Sequence, residues 1–379
     1  MLRKTSILVL ILLSPICFIT NLQANKVDDR CNYRLKEPVT EVAPFLSRTE
    51  AEKNSVQFWS QLNFECKNLS NLNLSNRYDD LKYSRFNTST VWPANNKLPK
   101  KFRSKKIMDV GENPGLGLRK LHSQGINGKD VSIAIIDQTL LLSHVEYKDT
   151  VVSYESIDKS ASFPQMHGSA VSSLAVGKTV GVAPMAKLYY FADNSSGADN
   201  ITEAINRVIV INKKLPLTRK IRAISISLGL NSIKNNKKVL DAVSSAEKDG
   251  IFVIYVEMNG LKLGGIGRKD LYSDPDNIKS YRCCSMYPEE SMCLRDDILV
   301  PIDNRTFAGY QGDKTYTYGA VGGISWAEPY MAGIYALAAQ VKPRITKDEF
   351  VSAVKKTATN VDGLGKVINP TGLIDELKK

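Results

Sequence analysis

Three polar residues in this sequence are of the types that together can activate a serine for nucleophilic attack. Asp137 follows the apolar run IAII, while His167 and Ser325 each begin a stretch with the pattern of a helix. A serine hydroxyl is a weak nucleophile at neutral pH, so it needs a histidine to accept its proton and an acid to orient that histidine. Taken singly, each residue has an ordinary explanation as a turn former or a helix cap. The chemistry therefore depends on the motifs around them.

Those motifs have a specific order and spacing. MHGSAV at 166–171 leads through a helical stretch into GVAPMAKL at 181–188, just before a predicted strand. In GGISWAEPYMAG at 322–333, Ala and Pro follow the serine by two and four places, and Ala-Gly comes later in the same helix. These blocks resemble the histidine and serine blocks of the subtilisin-like serine peptidases. The resemblance covers roughly residues 107–379, and the order Asp, His, Ser is that of subtilisin.

The resemblance implies a catalytic triad of Asp137, His167 and Ser325 that hydrolyses peptide bonds through an acyl-enzyme intermediate. His167 would take the proton of Ser325 and return it to the leaving amine, while Asp137 accepts a hydrogen bond from the other ring nitrogen. His144 lies where the family often has a noncatalytic histidine, so we assign it no chemistry.

Two further blocks fall between the histidine and serine blocks. ISISLG resembles the strand that pairs with the substrate backbone, which implies substrate-binding roles for Ser227, Leu228 and Gly229. YVEMNG resembles the strand end whose asparagine stabilises the oxyanion, which implies that role for Asn259 beside the backbone N–H of Ser325. An Asn-Gly pair without this context would be read as a turn.

The sequence also departs from the family pattern near the implied catalytic groups. None of these departures removes a catalytic group, but together they indicate an atypical branch and leave the substrate preference open. The stretch His167-Gly168-Ser169-Ala170 lacks the second histidine of the family's block. The other unusual neighbours are Gln138, Glu257, Met258, Ile324, Trp326 and Glu328.

From about residue 107 the pattern predicts an α/β fold, a mostly parallel sheet with helices on both faces, preceded by an N-terminal extension. Short apolar runs predict strands at 131–136, 188–192, 223–227, 251–256 and 298–302. Helices are predicted at 167–176, 201–212, 238–248, 325–340 and 347–357. The segment 261–297 has no clear periodicity and is predicted to be a loop insertion. Ligands of such sheets bind beyond the carboxyl ends of the strands, where Asp137 lies.

The chain divides into three predicted parts: 1–24, 25–106 and 107–379. A basic start and a short apolar run broken by Pro15 predict an export signal cleaved after Ala24, so the protein is expected to be secreted or periplasmic. Residues 25–106 differ in composition from the rest and end in the basic run KLPKKFRSKK, which is predicted to be a linker. This region is predicted to include a prosegment that is removed by cleavage near Lys106. The alternative is a permanent N-terminal domain held by a Cys31–Cys66 disulfide.

Five cysteines remain after the predicted signal, an odd number in an oxidising compartment. A Cys31–Cys66 disulfide is a sensible pairing, as is one from Cys293 to either Cys283 or Cys284. One thiol would then stay reduced. Adjacent cysteines without a nearby histidine do not favour zinc.

The expected partners are protein or peptide substrates. The net charge of +12 is spread over scattered lysines without a recognition module, so no nucleic acid is expected, and neither is stable membrane insertion. No cofactor is expected, and no compact acidic loop indicates calcium. A glycine-rich nucleotide site at 260–267 is disfavoured because no apolar helix follows it. The main alternative to an active endopeptidase is a pseudoprotease that binds peptides, but a noncatalytic protein has no physical reason to retain all four catalytic groups.

Overall fold

The computed structural model describes residues 30–42, 62–158, 163–258, 260–285, 293 and 297–379. The predicted export signal and Asn259 lie outside these residues. Within them the chain has the predicted α/β architecture, with a parallel sheet covered by helices. None of the helices in this part of the chain is long and apolar enough to cross a membrane.

The described residues form the following strands and helices. The strands are β1 (Arg85–Asn87), β2 (Ser132–Asp137), β3 (Val151–Ser156), β4 (Lys187–Ala192), β5 (Ile221–Gly229), β6 (Phe252–Val256), β7 (Leu263–Arg268), β8 (Tyr281–Cys283), β9 (Ile298–Pro301), β10 (Arg305–Ala308), β11 (Tyr316–Gly319), β12 (Thr359–Val361) and β13 (Gly365–Val367). The helices are α1 (Arg30–Arg34), α2 (Tyr78–Lys82), α3 (Ser104–Gly111), α4 (Leu118–Ser123), α5 (Met166–Val176), α6 (Ala198–Lys214), α7 (Lys237–Lys248), α8 (Ala327–Val341), α9 (Lys347–Thr357) and α10 (Pro370–Leu377).

The central sheet is fully parallel and has the order β3-β4-β2-β5-β6. The chain runs from β2 towards β3 and β4 on one side, and from β5 towards β6 on the other. Parallel sheets open a crevice where the connections diverge in this way, so the carboxyl ends of β2 and β5 flank the binding crevice. Four strands of this sheet were predicted, but β3 was missed because most of its side chains are only half-buried.

A second sheet, with the order β12-β13-β9-β7-β8, corrects the prediction of a loop at 261–297. Strands β7 and β8 lie in that segment. The sequence of β7, LGGIGR, hides its strand character because glycines replace side chains that would not fit. A Cβ on Gly265 would lie 2.1 Å from Cδ1 of Ile302, and one on Gly267 would lie 2.5 Å from Cβ of Asp303.

The N-terminal region packs directly against the rest of the chain. Strand β1 pairs with β11, which also pairs with β10 in a small antiparallel sheet. Phe64, Phe86 and Phe102 are buried in one apolar cluster with Tyr318. The basic run at 97–106 is therefore not a linker: its lysines face outward around the buried Phe102, and its last residues begin helix α3.

Two disulfides match the predicted pairings. Cys31 is bonded to Cys66, and the two alternatives for Cys293 are decided in favour of Cys283. Cys284 is a buried thiol. The first bond ties helix α1 to the segment that precedes β1, and the second joins the last residue of β8 to Cys293.

Candidate active site

Three elements bring the predicted catalytic side chains to one end of the central sheet. Asp137 is the last residue of β2, His167 is the second residue of α5, and Ser325 lies in a 3₁₀ turn that precedes α8. All three line a cavity of about 160 Å³, together with Ser227 and Leu228 from the end of β5. The structure thus groups most of the predicted site residues in the crevice between β2 and β5. Gly229 ends the same strand.

Asp137 and His167 form a hydrogen-bonded pair. The distance from Nδ1 of His167 to Oδ1 of Asp137 is 2.8 Å, and the backbone N–H of Gln138 donates to the same oxygen at 2.7 Å. Because a carboxylate only accepts, Nδ1 carries the proton in the neutral ring and Nε2 is left as the basic nitrogen. Burial lowers the pKa of His167, but the hydrogen bond and charge of Asp137 outweigh it, so the pKa lies above its ordinary value.

Gly168 allows the histidine helix to lie close to the end of β2. A Cβ at this position would lie 2.2 Å from the carbonyl oxygen of Gln138 and 2.4 Å from Oη of Tyr190. Tyr190 also donates a hydrogen bond to that carbonyl. Any larger residue would push His167 away from Asp137, which is the physical reason for the His-Gly pair.

The serine is held from two sides. Its carbonyl oxygen accepts a hydrogen bond of 2.9 Å from Oγ of Ser227, which ties the turn to the end of β5. The turn begins beside Gly322, whose N–H donates to the buried Asp303 at 2.8 Å and whose Cβ, if present, would lie 2.1 Å from the carbonyl oxygen of Ile302. The helix predicted at 325–340 starts at Ala327 in the structure. Its first two predicted residues lie in the 3₁₀ turn instead.

The histidine and serine blocks also contact each other away from the catalytic groups. A Cβ on Gly333 of α8 would lie 2.6 Å from Cβ of Val182, in the GVAP sequence that follows α5. Nearer the site, the ring centroids of Trp326 and His167 are 5.2 Å apart. These contacts fix the two helices relative to each other, so the spacing of both motifs has a packing reason as well as a chemical one.

Glu328 is a buried carboxyl group whose environment the sequence did not predict. It is fully buried in α8, and neither of its carboxyl oxygens has a hydrogen-bond partner among the described residues. Burial, with a further contribution from the charge of Asp137, raises the pKa of Glu328 to about 8. The group is therefore uncharged at neutral pH. From sequence, Glu328 was identified only as an unusual neighbour of Ser325.

His144 has a structural environment. Its Nε2 is 2.9 Å from the carbonyl oxygen of Thr315, and its Nδ1 accepts from the backbone N–H of Glu146 at 3.2 Å. The ring is fully buried and does not line the catalytic cavity. In the part of the chain that the structure describes, no group of three His, Cys, Asp or Glu side chains is placed to hold a metal ion.

Several known proteins are similar to this chain in sequence. The sequence profile of the Subtilase family matches residues 128–280. Subtilisin DY of Bacillus licheniformis is 25% identical over 258 residues, which cover 64% of this chain and 88% of the relative. Subtilisin E of Bacillus subtilis is 26% identical over 256 residues, and these span 63% of each chain.

Solved structures show the same fold. The subtilase cytotoxin SubAB structure has a TM-score of 0.52 at 17% identity, covering 70% of this chain and 95% of the other. The A-subunit of the AB5 toxin from E. coli has a TM-score of 0.51 at 15% identity, covering 70% and 98%. The fold is thus that of the subtilisin-like serine peptidases. In sequence the chain is similar to the subtilisins, and the Subtilase profile matches it over residues 128–280.

Proposed function

We propose that the protein is an active serine endopeptidase in which Asp137, His167 and Ser325 form the catalytic triad. The observation that carries this proposal is the 2.8 Å hydrogen bond between Asp137 and His167 in the same cavity as Ser325. It orients His167 so that Nε2 can act as the base. His167 takes the hydroxyl proton as Ser325 attacks the peptide carbonyl, and then protonates the leaving amine. Water then hydrolyses the acyl-enzyme by the same route in reverse.

The substrate backbone is proposed to pair with the end of β5. The pairing of β5 with β6 shifts register between Ile226 and Gly229, which leaves Ser227 and Leu228 without a partner in the ladder. Strand β2 ends at Asp137, opposite this point. Because strands recruit extended peptides through unpaired backbone groups, Ser227 and Leu228 together with Gly229 can align the scissile bond beside Ser325.

The oxyanion is proposed to be stabilised by the Asn259 amide and the Ser325 backbone N–H. Such a bond strengthens only as negative charge develops, so Asn259→Ala is expected to reduce kcat by roughly 10²–10³ with little change in KM. Steady-state kinetics beside a thermal melt measures this. A kcat within about threefold of wild type, with reduced stability, would instead make Asn259 a simple turn residue.

Export is part of the proposal. The basic and apolar first 24 residues have the pattern of a cleaved signal, and two disulfides fit an oxidising compartment. The protein would therefore act on protein or peptide substrates outside the cytoplasm.

A fluorophosphonate probe tests the proposed class directly. The wild-type protein is expected to be labelled at Ser325, because only a serine activated by a neighbouring base attacks the probe quickly. Mass spectrometry of the labelled peptide identifies the residue, and heat-denatured protein serves as the control. A folded wild-type protein that remains unlabelled would support the pseudoprotease alternative.

A further inference from the structure

A cavity of about 250 Å³ lies beside His167 and is lined mainly by the N-terminal region. Its wall includes Met166, the residue that precedes His167 in α5, together with Arg34 and Arg85. The cavity shares no lining residue with the catalytic cavity. This space, the N-terminal cavity, is therefore separate from the catalytic cavity and lies at the start of the helix that carries the proposed base.

A row of contacting side chains connects the N-terminal cavity to His167, the proposed base. The guanidinium of Arg85 lies over the Phe307 ring, 5.6 Å from its centroid. Phe307 contacts Trp326 edge to face at 5.4 Å, and the ring of Trp326 is 5.2 Å from that of His167. The wall of the N-terminal cavity is thus in contact, through Phe307 and Trp326, with His167.

The charges around the N-terminal cavity are mainly positive. The buried Glu65 is occupied on both oxygens, by an ion pair with Arg85 and by a 2.7 Å hydrogen bond from Gln311. Arg34 is exposed, and no acidic side chain of the described residues forms an ion pair with it. The cavity lining thus has two arginines and one carboxylate. Because Arg85 is paired with that carboxylate, Arg34 is the cation that remains to bind an anionic ligand.

The cavity wall is anchored to the catalytic scaffold. The Cys31–Cys66 disulfide holds the helix that carries Arg34 against the segment before β1. The backbone N–H of Phe64 donates to the carbonyl of Arg85 at 2.7 Å, and β1 in turn pairs with β11. Both arginines are therefore positioned by covalent or strand contacts.

We propose that the N-terminal cavity binds a carboxylate of the substrate on the leaving-group side of the scissile bond. The inference rests on the proposed function, because His167 protonates the leaving amine and the chain beyond that amine emerges beside this histidine. This substrate carboxylate can be that of an acidic side chain or the terminal carboxylate of a short peptide. For residues 25–106, the proposal favours the alternative of a permanent domain over the predicted removal of a prosegment.

Four quenched fluorescent peptides with one common cleavage site test the proposal. Each peptide has either Glu or Gln two residues after the cleaved bond and either a free or an amidated C-terminus, which gives four combinations. Mass spectrometry locates the cleaved bond in each peptide. The measured quantity is the ratio of kcat/KM for the peptide with the carboxylate to kcat/KM for its uncharged counterpart. For wild type this ratio is expected to be about 10 or more for whichever carboxylate is recognised. Arg34→Gln should reduce the ratio, and Arg34→Glu should bring it below one. Lys36→Gln removes a nearby exposed charge outside the cavity and should leave the ratio unchanged.

The outcomes separate this inference from the proposed function. Enzyme that is labelled by fluorophosphonate and cleaves all four peptides equally would overturn the carboxylate site but not the peptidase. The same follows if N-terminal sequencing of the active enzyme finds a start beyond Arg34. A ratio reduced equally by Lys36→Gln would also overturn it, because the effect would then be general electrostatics. A protein that neither reacts with the probe nor cleaves any peptide would refute both proposals.

Discussion

Replacing Ser325 by alanine is expected to lower kcat by roughly 10⁶ while the protein stays folded, which is the loss known for the corresponding change in subtilisin. His167→Ala should cost about as much, because the serine cannot attack without its base. The double variant should lose no more than either single variant, since the two groups act as one unit. Burst-phase and steady-state kinetics on a denatured protein substrate measure these losses.

His144→Ala is the matched histidine control. This buried ring holds the carbonyl of Thr315 and the N–H of Glu146, so its loss should reduce the free energy of unfolding and leave kcat of the folded fraction close to wild type. Circular dichroism is the test of whether the Ser325 and His167 variants keep their fold. Similar losses of kcat in all three variants would mean that instability, rather than missing chemistry, explains the effect.

The parts of the site that sequence predicted are those with local packing demands. His167 is followed by Gly168 because the end of β2 leaves no room for a Cβ, and Gly322, three residues before Ser325, leaves room for the carbonyl of Ile302. Such demands produce short motifs with fixed spacing, which can be recognised without a structure. The parallel strands were predictable because both faces of a buried strand are apolar.

The features that sequence missed depend on contacts distant along the chain. Strand β1 has only three residues, and its partner β11 lies more than 200 residues later, so no local periodicity identifies it. The N-terminal cavity arises from that same pairing and from the Cys31–Cys66 bond. Strand β7 was hidden by glycines that make room for Ile302 and Asp303. The burial of Glu328 is likewise a tertiary property, since nothing in the sequence distinguishes a buried glutamate from an exposed one.

Glu328 makes the stability of the protein depend on pH in a direction opposite to most carboxyl groups. Its pKa is about 8 in the folded protein and 4.5 in an ordinary environment. Between these values the folded state holds a proton that the unfolded state has lost, so stability falls as pH rises and levels off above pH 8. The full difference corresponds to about 5 kcal/mol. Below pH 4.5 both states are protonated and the loss is absent.

Glu328→Gln is expected to remove this loss, because the amide has a similar shape and never ionises. Relative to the parent, its free energy of unfolding should rise between pH 4.5 and pH 8 by up to about 5 kcal/mol. Urea unfolding at several pH values measures it, in a Ser325→Ala background that prevents self-digestion. The exposed Glu349 is the control: hydrogen bonds at the N-cap lower its pKa to about 2, so Glu349→Gln changes the pH dependence only below pH 4.5. Parallel curves for Glu328→Gln and its parent from pH 4.5 to 8 would show that Glu328 ionises normally.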